Sequence, residues 1–164
     1  MTTELVFPAQ VILGLITWSL LARWFLVPRI AGLPRESGLQ SLLAVHTLRY
    51  IGLVFLAPAA TGPSLAQTFA VPAGLGTAIA GVLALISIAL LRARSPLAIP
   101  VIWIFSVEGI ADLANAFLQA RSAGVVAQLG AAYYVPIVIV PAALVAHVMI
   151  VGLLLRRGHL STTS

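Results

Sequence analysis

Residues 72–91 read PAGLGTAIAGVLALISIALL, twenty positions without one ionisable side chain, and Arg92 follows at once. Wound as an α-helix this run is about 30 Å long, the thickness of a bilayer's hydrocarbon core. It is too long for a buried strand and shows no alternation of apolar and polar residues. The fold therefore turns on whether the rest of the chain repeats the pattern, and it does. Apolar stretches over about 9–27, 39–58, 96–119 and 130–155 join 72–92 to make five. Pro28 and Pro34 bracket the first break, PAATGPS (58–64) fills the second, RARSP (92–96) the third and RSAG (121–124) the fourth. In hydrocarbon each segment must satisfy its own backbone hydrogen bonds, and no ten-residue alternating pattern suggests a barrel. The expectation is an all-α integral membrane protein: a five-helix transmembrane bundle forming a single membrane domain over 1–164.

Composition agrees. Hydrophobic residues make up 61% and charged residues 8%, against roughly a quarter charged in a soluble domain. The formal charge of +5 comes from arginine alone. These arginines punctuate apolar segments instead of forming a basic surface, so nucleic acid is not an expected partner. With no cysteine, disulfides and thiolate metal sites are excluded. The first ten residues carry Glu4 and no positive charge, so the first apolar run is expected to stay as a helix and not to be removed as a signal.

Arginine placement suggests an orientation. Arg23, Arg29, Arg35, Arg92, Arg94, Arg156 and Arg157 fall at one side of the five spans, and only Arg121 at the other. The positive-inside rule then predicts the N-terminus outside and the C-terminus in the cytoplasm. Heavy use of Ala, Gly and Arg without Lys suggests a GC-rich bacterial genome, and the expected location is the bacterial inner membrane. On the third helix the small residues Gly74, Thr77, Ala78, Gly81 and Ala84 allow a close neighbour, within the chain or in a homo-oligomer. Pro136 and Pro141 favour a kink in the fifth helix.

Against this apolar background the polar residues stand out. Glu108, Asp112, Asn115 and Gln119 are spaced by four, three and four, one stripe along the fourth helix. Glu108 lies about 18 Å from the arginine-rich end of its helix, near the midplane, where a carboxylate facing lipid is costly. His46, Arg49 and Tyr50 share one side of an α-helical second span. Arg49 sits about 15 Å deep from the same end, which predicts an Arg49–Glu108 ion pair. Asp112 is then either a candidate general acid or proton carrier, or a further member of a network with Arg49 and Glu108 that holds the helices in register. His147, about 12 Å in, matches the depth of His46. The pair could serve a proton relay, a shared metal or bis-histidine haem. His159 falls in a polar tail.

The first expectation for function is a membrane-embedded enzyme or binding protein for a lipophilic small molecule of isoprenoid, sterol-like or quinone type. Glu108, Asp112, His46 and Arg49 form its catalytic set. Tyr50, Trp103, Phe105, Asn115, Tyr133, Tyr134 and His147 line the ligand. An isomerase or cyclase fits groups that exchange protons without metal, and no cofactor is expected. A small proton-coupled transporter is the alternative, and a haem electron carrier through His46 and His147 a further one. Five short helices around a polar pocket are similar in outline to membrane sterol isomerases and translocator-type proteins. That resemblance is one of architecture and carries no residue across.

Overall fold

Five helices long and apolar enough to cross a membrane follow one another: α1 (Leu5–Ala31), α2 (Arg35–Leu56), α3 (Gln67–Arg92), α4 (Ala98–Ala120) and α5 (Gly130–Leu155). This is a computed structural model describing residues 3–122 and 124–156, with side chains from Leu5 to Ala120 and from Gly124 to Arg156. Arg157, His159 and the side chain of Arg121 lie outside the described residues. All five helices expected from hydropathy are present, with ends displaced by a few residues. Pro28 is a correction: it lies inside α1, and the first break is reduced to the turn after Ala31. A π-helical turn at Ala22–Leu26, closed by the Val27 N–H on the Ala22 carbonyl, precedes the proline. The Arg29 guanidinium donates back to the Phe25 carbonyl at 2.7 Å. These local adjustments let the helix run through a residue that lacks a donor.

Helices α2 to α5 form the bundle proper. α3 packs against α2 and α4 on one side, and α5 against the same two on the other; α1 leans on α5 from outside. Gly14 allows that contact, because a Cβ there would lie 2.6 Å from the Ile137 carbonyl oxygen. In an α-helix this carbonyl would bond the N–H that Pro141 lacks, so the neighbour covers a backbone group that proline frees. α5 winds as a π-helix over Val135–Ile139, which contains Pro136 and ends two residues before Pro141.

The second helix changes winding halfway. It is α-helical over Arg35–His46 and a 3-10 helix over Thr47–Leu56. Runs of 3-10 helix longer than three or four residues are uncommon. At three residues per turn, positions three apart eclipse, and the buried residues Arg49, Gly52 and Phe55 have that spacing. Tyr50, expected on the side shared by His46 and Arg49, is 58% exposed on another side. In a 3-10 helix the i,i+4 pair His46 and Tyr50 would diverge by about 120°, where an α-helix would align them within about 40°.

The small residues of α3 accommodate α2 within the chain. A Cβ on Gly74 would lie 2.9 Å from Leu56, and one on Gly81 would sit 3.4 Å from the Tyr50 amide. From the other side, a Cβ on Gly52 would collide with the Thr77 methyl group.

The interior has three layers. Toward the arginine-rich end Leu39, Leu42, Leu43, Ala84, Ile102 and Ile150 form an apolar cluster. At the opposite end Phe55, Phe69, Val125 and Leu129 form another. There the loops on either side are tied by Gly62 N–H to the Gln128 carbonyl and Ala131 N–H to the Ala60 carbonyl, both 2.8 Å. Between the clusters each of the four bundle helices contributes polar groups. The outer surface, by contrast, is apolar at Val107, Ile104 and Val148.

Gly52→Ala should destabilise the fold by about 1–3 kcal/mol, the usual range for overpacking. Thr77→Ser, which removes the methyl group and keeps the hydroxyl, should recover most of that loss in the double variant. Thermal unfolding in detergent reads both. A Gly52→Ala protein that melts like the parent would contradict the close approach of α2 and α3.

Candidate functional site

The middle layer is organised by Arg49, 3% exposed. Its Nη2 donates to Asp112 Oδ2 on α4 at 2.5 Å, and its Nε to Thr77 Oγ1 on α3 at 3.3 Å. Nη1 lies 3.5 Å from the Gly109 carbonyl and 3.3 Å from His147 Nε2 on α5. All three nitrogens are thus engaged, by three different helices. A guanidinium only donates, so His147 Nε2 accepts and the proton of the neutral ring sits on Nδ1. Breaking such a buried pair on one side leaves a charge uncompensated, which is far costlier than losing an exposed ion pair.

Two glycines make the geometry possible. A Cβ on Gly109 would stand 2.6 Å from His147 Nε2 and 2.8 Å from Arg49 Nη1. One on Gly76 would overlap the Asp112 carboxyl. The expected Arg49–Glu108 ion pair is therefore corrected to Arg49–Asp112. Depth along the helix does not distinguish two acids one turn apart. The notch at Gly76 admits Asp112.

His46 and His147, matched in depth by sequence, meet ring to ring with centroids 4.2 Å apart. Phe105, fully buried, stacks on His147 at 4.9 Å and meets His46 edge-on at 5.0 Å. This packing does not fit bis-histidine haem. Two nitrogens about 2 Å from a common iron would hold the rings well apart with the macrocycle between them. Among the described residues no group of three or more His, Asp or Glu is placed to hold a metal ion.

Among the described residues, several buried polar atoms have no hydrogen-bond partner: both ring nitrogens of His46, His147 Nδ1, Ser106 Oγ, Gln128 Oε1 and Glu108 Oε2. Glu108 is half-buried at the edge of the packed face of α4. Its neighbours Ile104 and Val107 are 59% and 66% exposed on the outer surface.

The other expected site residues disperse. Asn115 is exposed and accepts from Gln119 Nε2 at 3.0 Å. Trp103 packs, half-buried, against the apolar cluster at the arginine-rich end. The Tyr133 hydroxyl donates to Gln10 Oε1 at 2.5 Å, and its ring meets Phe7 edge-on, so it ties α5 to α1. Tyr134 is 68% exposed. Clefts lined by Glu36, Arg94 and Ser95 and by Arg35, Leu153 and Arg156 open at the arginine-rich end and do not reach the polar layer. Sequence reasoning missed Gly76, Gly109 and Ser106 and read Thr77 only as a small packing residue. A glycine one residue after Glu108, on a helix otherwise carrying side chains, was the available signal.

Fold and site together define a bundle of five apolar helices with an ionisable core. The chain belongs to the family described as Domain of unknown function (DUF8737), which matches residues 6–155. No curated protein matches it, and no solved structure does.

Asp112→Asn should cost about 3–5 kcal/mol of stability, because it strands Arg49. Glu108→Gln should cost far less, and Arg49→Met with Asp112→Leu less than Asp112→Asn alone. Unfolding in a detergent series gives the order; equal losses for the two acids would refute the assignment of the pair.

Proposed function

We propose that this protein is a bacterial inner-membrane protein that holds a lipophilic small molecule of isoprenoid, sterol-like or quinone type against an intramembrane acid–base site. Its arginine-rich end faces the cytoplasm. The observation that carries the reading is the division of labour between the acids. Asp112 compensates Arg49, while Glu108, at the apolar edge of α4, retains an oxygen without a donor. Glu108 is the group that exchanges a proton with the ligand. Arg49, Asp112 and His147 form a fixed electrostatic frame beside it. Phe105 and His46 close the frame from within.

The chemistry that suits this frame is isomerisation or cyclisation. Glu108 gives its proton to one carbon of an alkene. The π electron pair becomes the new C–H bond, and the positive charge falls on the other carbon beside the carboxylate. Return of a different proton to Glu108 moves the double bond. Attack by a second double bond, followed by that proton loss, closes a ring.

Proton-coupled transport is the second reading, favoured by the direct contact of His46 and His147 on the arginine-rich side of Arg49. Imidazoles at buried positions are common members of proton paths. It predicts pH-driven flux in proteoliposomes that falls in His46→Phe.

Apolar lipid retained through purification should be identified by mass spectrometry in the parent protein and be depleted in Glu108→Gln. With that lipid as substrate, loss of the acid should lower turnover by about 10²–10⁴-fold. Unchanged lipid content and unchanged turnover in Glu108→Gln would defeat the reading.

A further inference from the structure

Charge in the polar layer does not balance. Arg49 is its one arginine, Asp112 and Glu108 are its two carboxyl groups, and α3 brings no ionisable side chain before Arg92. The remaining titratable groups packed around it are His46 from α2 and His147 from α5. His147 already accepts from Arg49 through Nε2. Arg49 in turn has committed each of its nitrogens to Thr77, Gly109, His147 or Asp112. Glu108 Oε2 is shielded and meets no donor among the described residues.

Arg49 acts on Glu108 through space, but its single charge is already matched by Asp112. A second carboxylate in an apolar setting is strongly disfavoured, so Glu108 needs a proton or a cation from outside the chain. A hydrated metal ion is a poor candidate, since calcium asks for six to eight oxygens and magnesium keeps its waters. Beside Glu108 on α4, Ile104 and Val107 present an exposed apolar surface from which a ligand would approach. What suits that route is a cation that carries its own apolar shell.

We propose that Glu108 binds hydrophobic organic cations, apolar bodies with one delocalised positive charge, and releases one proton for each cation bound. The inference rests on the reading of Glu108 as the acid of the ligand site and names the ligand charge that the site accepts. Such a cation stands where the positive carbon would form after proton transfer to an alkene. The exchange is balanced: the Glu108 O–H gives up its proton to water, and the carboxylate then neutralises the incoming charge. Because a proton leaves, binding tightens as pH rises, by up to about tenfold per pH unit for one proton.

The test uses the full chain in lipid nanodiscs, titrated with radiolabelled tetraphenylphosphonium across a pH series. A pH-indicator dye in weak buffer counts released protons. The expected result is saturable binding that tightens with pH, with one proton released per cation. It should be lost in Glu108→Gln and retained in Glu108→Asp. Binding that ignores pH, or that survives Glu108→Gln, overturns the proposal. A neutral isoprenoid quinone, followed by quenching of tryptophan fluorescence, separates the two levels. Quinone binding lost in Glu108→Gln, with no cation binding by the parent, overturns cation exchange and leaves the ligand site standing. If neither probe binds the parent, both readings fall.

Discussion

A guanidinium held in an apolar interior has to find an anion and acceptors for its N–H groups, and in this protein they come from three helices other than its own. Asp112 provides the charge, Thr77 a hydroxyl, Gly109 a carbonyl and His147 a ring nitrogen. Each partner fixes the rotation and height of the helix that carries it. Between helices whose outer faces are as apolar as lipid, burial of hydrocarbon supplies little force. Close packing of small residues and interior hydrogen bonds then decide how the helices sit. Arg49 is the point at which α2, α3, α4 and α5 are brought to one register.

The same constraint separates the roles of two acids one turn apart. Gly76 and Gly109 remove side chains where the network needs room, so Asp112 and His147 can close on the arginine. Glu108, just outside that notch, is left at the boundary between the polar layer and the outer surface. The two carboxyl groups thereby occupy different settings, one closed in an ion pair and the other at a boundary. A buried ion pair by itself often contributes less to stability than well-packed apolar side chains would.

Much of this was legible in the sequence. The five spans follow from the length of the apolar runs, and the matched depth of His46 and His147 from counting inward from the same end. Depth is a one-dimensional property that a helical rise converts directly. Azimuth was harder. Choosing between Glu108 and Asp112 required knowing which face of α3 lies opposite, and glycine and threonine in a run such as PAGLGTAIAG read equally well as plain packing. Tyr50 was misplaced because its neighbours His46 and Arg49 were projected on an α-helix. Nothing local in TLRYIGLVFL announces a tighter winding, which is held by contacts of Gly52 and Phe55 with α3. Pro28 misled for a similar reason, since a proline reads as a stop until a π-helical turn is seen to absorb it.

The winding of α2 also alters how far the chain reaches. A 3-10 helix advances about 2.0 Å per residue where an α-helix advances about 1.5 Å, so Thr47–Leu56 makes this segment about 5 Å longer than its residue count implies. Its twenty-two residues thus span a distance for which an ordinary helix would need about three more. Hydropathy windows, which treat residues as equal units of thickness, therefore underestimate this span. Every position beyond Arg49 on α2 lies farther from the arginine-rich end than its number suggests.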